Sequence, residues 1–239
     1  DNQNQDFLKE ISAKNGESVG FKFQEQASYL YYFANAVDTT KLDNPKAAIN
    51  SIGDIPKNDH YKRYGIATLD GKAYTSDGKS IELANDKHIK ECVEKDTFTV
   101  CRMSSSESID GDEVFVMHLP LKHEGETKAV FFLVFSIDQI MANFESSAFN
   151  KSEFFFVVDY DGNNIMSTHQ NENFRNIENI FYTLPLDEKY QGSRIINIQE
   201  DMKKGETGVL FSSQNTDFYL YYAPLNFNDW YLFSVIPTS

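Results

Sequence analysis

Apolar residues at Leu8, Ile11, Val19, Phe23, Ala27, Leu30, Ala34 and Val37 recur three, four or eight positions apart. That is the spacing of one helix face, and it predicts a single amphipathic helix over the first 37 residues. At 1.5 Å per residue such a helix is about 50 Å long, enough to pack along more than one small domain. Gly16 and Gly20 are expected to weaken it locally. A short helix follows from Asn44-Pro45, with Asn as cap, Pro in the first turn and Gly53 as the stop.

The period then changes to two. Tyr64 to Leu69, an Asp70-Gly71 turn and Lys72 to Ser76 form a hairpin pattern. A helix is predicted over Asn85–Lys95, then strands over Thr97–Met103, Glu113–Leu121 and Lys128–Phe135. Ser136 and Gln139 make a capping box for a helix running to about Phe144. The same order then recurs. Phe154 to Ser167 matches the first hairpin at an offset of 91, which carries Asp70-Gly71 onto Asp161-Gly162. Val116 to Leu121, with Pro120, is echoed by Leu220 to Leu225, with Pro224, and an apolar strand follows each. The second copy carries 13 extra residues before its Pro-Leu pair. Strands that never alternate with helices argue for antiparallel sheets in an α+β architecture. The expected organisation is a long helix over 1–43, one sheet unit over 44–145 and a second over 146–239.

Composition narrows the function. With 20 Phe, 13 Tyr and 41% hydrophobic residues there is ample core material. A net charge of −14 argues against nucleic acid and anionic lipid headgroups as partners. No stretch approaches the roughly 20 apolar residues of a spanning helix. The polar start Asp1 to Gln5 is not a signal peptide, and a first residue other than Met suggests a piece of a longer protein. Cys92 and Cys101 leave open either one disulfide or two free thiols.

The leading helix, Gly65 to Gly71 with Tyr74 to Gly78, Leu119-Pro120-Leu121 before Ala129 to Asp138, Val157 to Gly162, Gly205 to Gly208, and Tyr219 to Leu225 with Asp229 to Tyr231 together resemble the double Cache family. These are tandem PAS-like sensor domains of bacterial transmembrane receptors. The resemblance covers nearly the whole chain, and the order of the motifs is its specific part. It implies two PAS-like units on one long helix, on the extracytoplasmic side of the membrane, held by flanking membrane helices outside this sequence. It also implies a small-molecule ligand in the first, membrane-distal unit and a signal passed to a diguanylate cyclase, histidine kinase or chemotaxis domain. A homodimer along the long helix is a corollary. Amino-acid-binding members carry an Arg-x-Trp-like pattern after the hairpin and an Asp in the last strand. Here those places read Asp86-Lys87-His88-Ile89 and, near Val134, apolar, so the amino-acid clamp is not matched.

The pocket of such a unit is expected between the sheet and the loops above it. Tyr74, His88, Arg102, Ser104 and His118 are the candidate ligand-binding residues, and the Arg102 fork favours an anionic ligand. Against these stand plainer roles: Arg102 as a solvated strand-end charge, Tyr74 as core, the histidines as exposed or satisfied groups. Asp159-x-Asp161-Gly162-Asn163 has its Gly two places too early for a calcium loop, and His118 and His123 fall on opposite faces of a strand. No metal or cofactor is expected. Hydrolase, zinc-protease and nucleotide-binding motifs are absent, so an enzyme is not expected in this segment. The rival readings are a secreted binding or adhesion module without a cytoplasmic output, and a hydrolase on an uncommon scaffold.

Overall fold

The computed structural model describes residues 2–83, 86–141, 154–167, 177–183, 191–212 and 218–237. The chain divides into two compact units: Gln24–Ile140, and Asp1–Phe23 with Met141–Ser239. Residues 24–43, grouped with the helix in the sequence reading, fall in the first of these. The first helix, α1 (Asn2–Asn35), contributes residues to both units.

The Gln24–Ile140 unit holds a six-stranded antiparallel sheet. Its strands are β1 (Arg63–Thr68), β2 (Lys72–Thr75), β3 (Ser80–Glu82), β4 (Thr99–Met103), β5 (Val114–His123) and β6 (Glu126–Ser136), in the order β3-β2-β1-β6-β5-β4. One face packs on the end of α1 and on α2 (Pro45–Ser51), with Phe33 stacked on Tyr64 at 4.7 Å and Tyr64 on Phe131 at 5.8 Å. The other face lies under α3 (Lys87–Lys95), which packs on β5 and β6. There Ala67, Val114, Val116, Val130, Phe132 and Val134 meet Ile89 and Cys92 of the helix. Because side chains alternate along a strand, each of β1, β5 and β6 supplies both layers, which is why they are buried on both faces.

The second unit holds β7 (Phe154–Val158), β8 (Asn164–Ser167), β9 (Gly208–Ser212), β10 (Phe218–Pro224) and β11 (Tyr231–Pro237), in the order β8-β7-β11-β10-β9. Without β3, the six-stranded sheet has the same topology. The repeat seen in the sequence is thus a repeat of fold. It extends to the turns: Gly71 donates to Thr68 and Gly162 to Asp159, with φ of +87° and +82°. A residue with a Cβ would be strained in both places. The short α4 (Ile137–Met141) follows β6, capped by the reciprocal Ser136 and Gln139 bonds expected from the sequence. The part of that helix expected beyond 141 lies outside the described residues. Two further helices, α5 (Ile180–Thr183) and α6 (Gln191–Lys204), lie in the longer connection of this unit.

Two expectations fail for identifiable reasons. Gly16 and Gly20 do not interrupt α1. A Cβ at Gly16 would lie 2.7 Å from the Pro224 carbonyl oxygen, and one at Gly20 would collide with the Leu225 backbone, so these glycines let the helix approach the end of β10. Strand β3 was not expected. It is three residues long, and its backbone pairs with β2 opposite Lys72, Ala73 and Tyr74, giving no periodic signal of its own.

Candidate functional site

Between α3 and the sheet of the six-stranded unit lies a cavity of about 60 Å³. Its walls are mostly apolar: Val114, Val116, Phe132 and Val134 from β5 and β6, Met103 from β4, Ile81 and Leu83 from β3 and its exit, and Ile89 from α3. The loop between β4 and β5 closes it with Glu107, Ser108, Ile109 and Asp110. Arg63, Asp86 and His118 complete the polar lining.

His118 sits on β5 opposite Phe132 on one side and Thr99 on the other. Its side chain is 2% exposed, and its Nδ1 atom has no hydrogen-bond partner. Burial pulls its pKa down to about 4, with the neighbouring Asp86 and Glu91 opposing the shift. The imidazole is therefore neutral near pH 7, with one nitrogen bearing a proton and the other able to accept. An unpaired buried polar atom is costly to keep.

Arg63, at the start of β1, is buried and lies at one wall. Its Nη1 and Nη2 donate to the two carboxylate oxygens of Asp110 at 2.8 and 3.1 Å, and its Nε donates to Asp77 at 3.0 Å. That bidentate bond holds the Asp110 carboxyl below its usual range. It also fastens the β4–β5 loop to the start of β1. Lys62 bridges to Asp112 at 3.2 Å and Lys79 approaches Asp110 at 3.5 Å, so the fastening is a network. Asp86 is the N-cap of α3 and accepts from the His88 and Ile89 amides.

The five residues singled out from the sequence are placed as follows. His118 lines the cavity, and His88 on α3 stacks on it with ring centroids 6.3 Å apart. Ser104 does not line the cavity, but its hydroxyl donates to Glu107, which does, at 2.9 Å. Tyr74 lies in a separate cleft with Lys46 over its ring at 5.8 Å. Arg102 is half-exposed, pairs with Glu113 and is not among the lining residues. Strand alternation explains this, since Met103 next to it turns inward. The structure thus brings His88 and His118 together and leaves Tyr74 and Arg102 apart from them. Sequence reasoning missed Arg63, Asp86, Glu107 and Asp110. A signal existed for two of them: a lone Arg opening a buried strand, and the acidic Asp110-Gly111-Asp112 turn that answers it.

Both cysteines are free thiols. Cys92, on the sheet-facing side of α3, is buried, and burial raises its pKa to about 11. Cys101 is raised for the same reason. Neither has thiolate character near neutral pH.

No family model matches the sequence, and no curated protein does. Solved structures do match. The chain is similar to the periplasmic sensory domain of a Campylobacter jejuni chemoreceptor, with a TM-score of 0.68, 13% identity, and 99% and 96% of the two chains covered. It is similar to the ligand-binding domain of the Pseudomonas aeruginosa amino acid chemoreceptor PctC in complex with GABA, with a TM-score of 0.64, 16% identity, and 99% and 100% covered. The extracellular domain of mmHK1S-Z3, described as a histidine kinase, gives 0.69, 12%, and 98% and 94%. Two sheet units of one topology and near-complete coverage on both sides agree: the chain has the double Cache fold of bacterial extracytoplasmic sensor domains.

Proposed function

We propose that this chain is the extracytoplasmic sensor segment of a bacterial transmembrane signalling protein, and that it binds a small metabolite in the cavity of the six-stranded unit. One observation carries the reading: a mostly apolar cavity contains a buried, neutral histidine whose Nδ1 has no partner. The fold supports it, since solved domains of this fold belong to chemoreceptors and include ligand complexes. No catalytic role is assigned to this segment. Its cavity carboxylates are either ion-paired across the Arg63 network or serve as helix and turn caps, which suits binding better than proton transfer.

The mechanism follows from how the cavity is closed. The β4–β5 loop and α3 both contribute to its wall, so a ligand that contacts them favours the closed arrangement of that unit over an open one. The output is a cytoplasmic cyclase, kinase or chemotaxis domain beyond this sequence. Exposure of Phe7 and Phe21 on α1, at 60% and 71%, supports the expected homodimer through that helix. Sedimentation velocity reads this directly, and a monomer at high concentration removes it.

A thermal-shift screen with amines, carboxylates, alcohols and purines tests the ligand site. A stabilising compound is expected, and Val116→Phe, which fills the cavity, should abolish its effect while the fold is retained. A compound that stabilises both proteins equally places the site elsewhere.

A further inference from the structure

We propose that this cavity takes a short aliphatic amine, bound as the ammonium ion, in preference to a carboxylate. The proposal rests on the reading of the cavity as the ligand site and adds the chemical class.

The first argument is charge. Among the described residues on the wall, Asp86, Glu107 and Asp110 are acidic and Arg63 is the cation. The Arg63 fork is already held by both oxygens of Asp110 and by Asp77. A carboxylate ligand would have to displace Asp110 from a bidentate bond, then sit beside two further acids. An ammonium meets the opposite situation. Its charge is complementary to Asp86 and Glu107, and it leaves the Arg63 network intact. Glu107 has an external countercharge, Lys87 at 3.5 Å, but that lysine is largely exposed and weakly held. The Asp86 carboxylate accepts from the two backbone amides it caps.

The second argument is independent of charge. His118 Nδ1 is a buried polar atom without a partner, in a ring that is neutral near pH 7. A neutral imidazole carries one acceptor nitrogen, and an ammonium is a donor only. In the tautomer with the proton on Nε2, Nδ1 is that acceptor, and a carboxylate, which offers acceptors alone, does not satisfy it.

The third argument is size. A cavity of about 60 Å³ suits a small body, on the order of four to six non-hydrogen atoms at about 10–15 Å³ for each water-sized group. Val116, Phe132 and Ile89 offer a hydrocarbon body its contacts.

The test is isothermal titration calorimetry of the full chain with n-propylamine, 1-propanol and propionate. Propylamine is expected to bind and the other two to bind at least tenfold more weakly. Asp86→Asn keeps a capping side chain but removes the charge. It is expected to weaken propylamine at least tenfold, and Val116→Phe to abolish binding. If propanol or propionate binds as well as the amine, and Val116→Phe abolishes that, the amine proposal is overturned and the ligand site stands. If propylamine binds equally to wild type, Asp86→Asn and Val116→Phe, the amine proposal is overturned because its site is elsewhere. If none of the three binds, the amine proposal falls. A metabolite screen without any Val116-sensitive stabiliser would then remove the site as well.

Discussion

One row of paired positions runs across each sheet, and the two rows have opposite contents. In the six-stranded unit it reads Thr99, His118, Phe132, Gly65 from β4 through β5 and β6 to β1. In the five-stranded unit the matching row reads Gly208, Tyr222, Phe233, Phe156. His118 and Tyr222 each stand two residues before the proline of their strand. The glycine has changed ends. A Cβ at Gly65 would strike the Phe132 ring, so that ring leans over β1. A Cβ at Gly208 would strike the Tyr222 ring, so there the ring leans over β9. In the first case the space beside the histidine stays open and forms the cavity. In the second a tyrosine ring occupies it, and its hydroxyl donates to Asp201 on α6, within a core shared with Ile198 and Met202. The same fold thus keeps a cavity in one copy and packs a core in the other, according to where the row places its glycine and its large ring.

The largest effect expected from this contrast is on stability. Tyr222→Ala should cost about 3–5 kcal/mol, as deletion of a buried aromatic ring does. His118→Ala should cost less than about 1 kcal/mol, because the ring already borders a cavity and its removal also removes an unpaired nitrogen. Denaturant unfolding followed by the fluorescence of Trp230, the single tryptophan, reads the five-stranded unit. Hydrogen exchange in β5 and β6 reads the other. Equal costs at the two positions would mean that the units are packed alike and the contrast is wrong.

The second prediction separates the units by pH. The His118 pKa is near 4 in the fold and about 6.5 in the unfolded chain. Between these values the unfolded chain binds the proton and the folded chain does not, so stability falls as pH falls. The full loss is about 3 kcal/mol by pH 4. The groups that face the ring from α3 are Asp86, His88 and Glu91. For Tyr222 and Tyr231 the shift has the other sense: burial raises both phenols. Their contribution is present below the usual phenol pKa near 10 and is lost as pH rises above it. Thermal melts from pH 4 to 11 should therefore show an acid-side loss that His118→Phe removes and an alkaline-side loss that Tyr222→Phe reduces. If His118→Phe loses stability on acidification as steeply as wild type, the histidine is not the group that titrates.

The sequence made the repeat legible because its carriers are local. An Asp-Gly turn and the strands beside it signal themselves within a dozen residues, and the offset of 91 carries Gly65 onto Phe156 at matching places in the two sheets. Strand β3 was not legible, being too short for a period. The site was legible only in part. His118 stood out as a polar residue in an apolar strand. Arg63, Asp77 and Asp110 are brought together from β1, the β2–β3 turn and the β4–β5 loop, and no spacing along the chain announces that. The choice between Arg102 and its neighbours depended on strand phase. With a period of two, an error of one residue moves a side chain to the other face of the sheet.

That point gives the smallest predicted effect and the sharpest check on the contrast. Arg102 lies on the edge strand β4, half-exposed and paired with Glu113, and the wall of the cavity is made by Met103 beside it. An ion pair in that position is worth at most about 1 kcal/mol, so Arg102→Ala should shift the melting temperature little. It should also leave the response to any cavity ligand unchanged. Met103→Ala, one residue along, removes part of the wall and should weaken that response while enlarging the cavity. The paired substitutions measure strand phase as much as energy. If Arg102→Ala abolished the ligand response and Met103→Ala spared it, the inward face of β4 would be the opposite one. The row that begins at Thr99 would then no longer lead to His118.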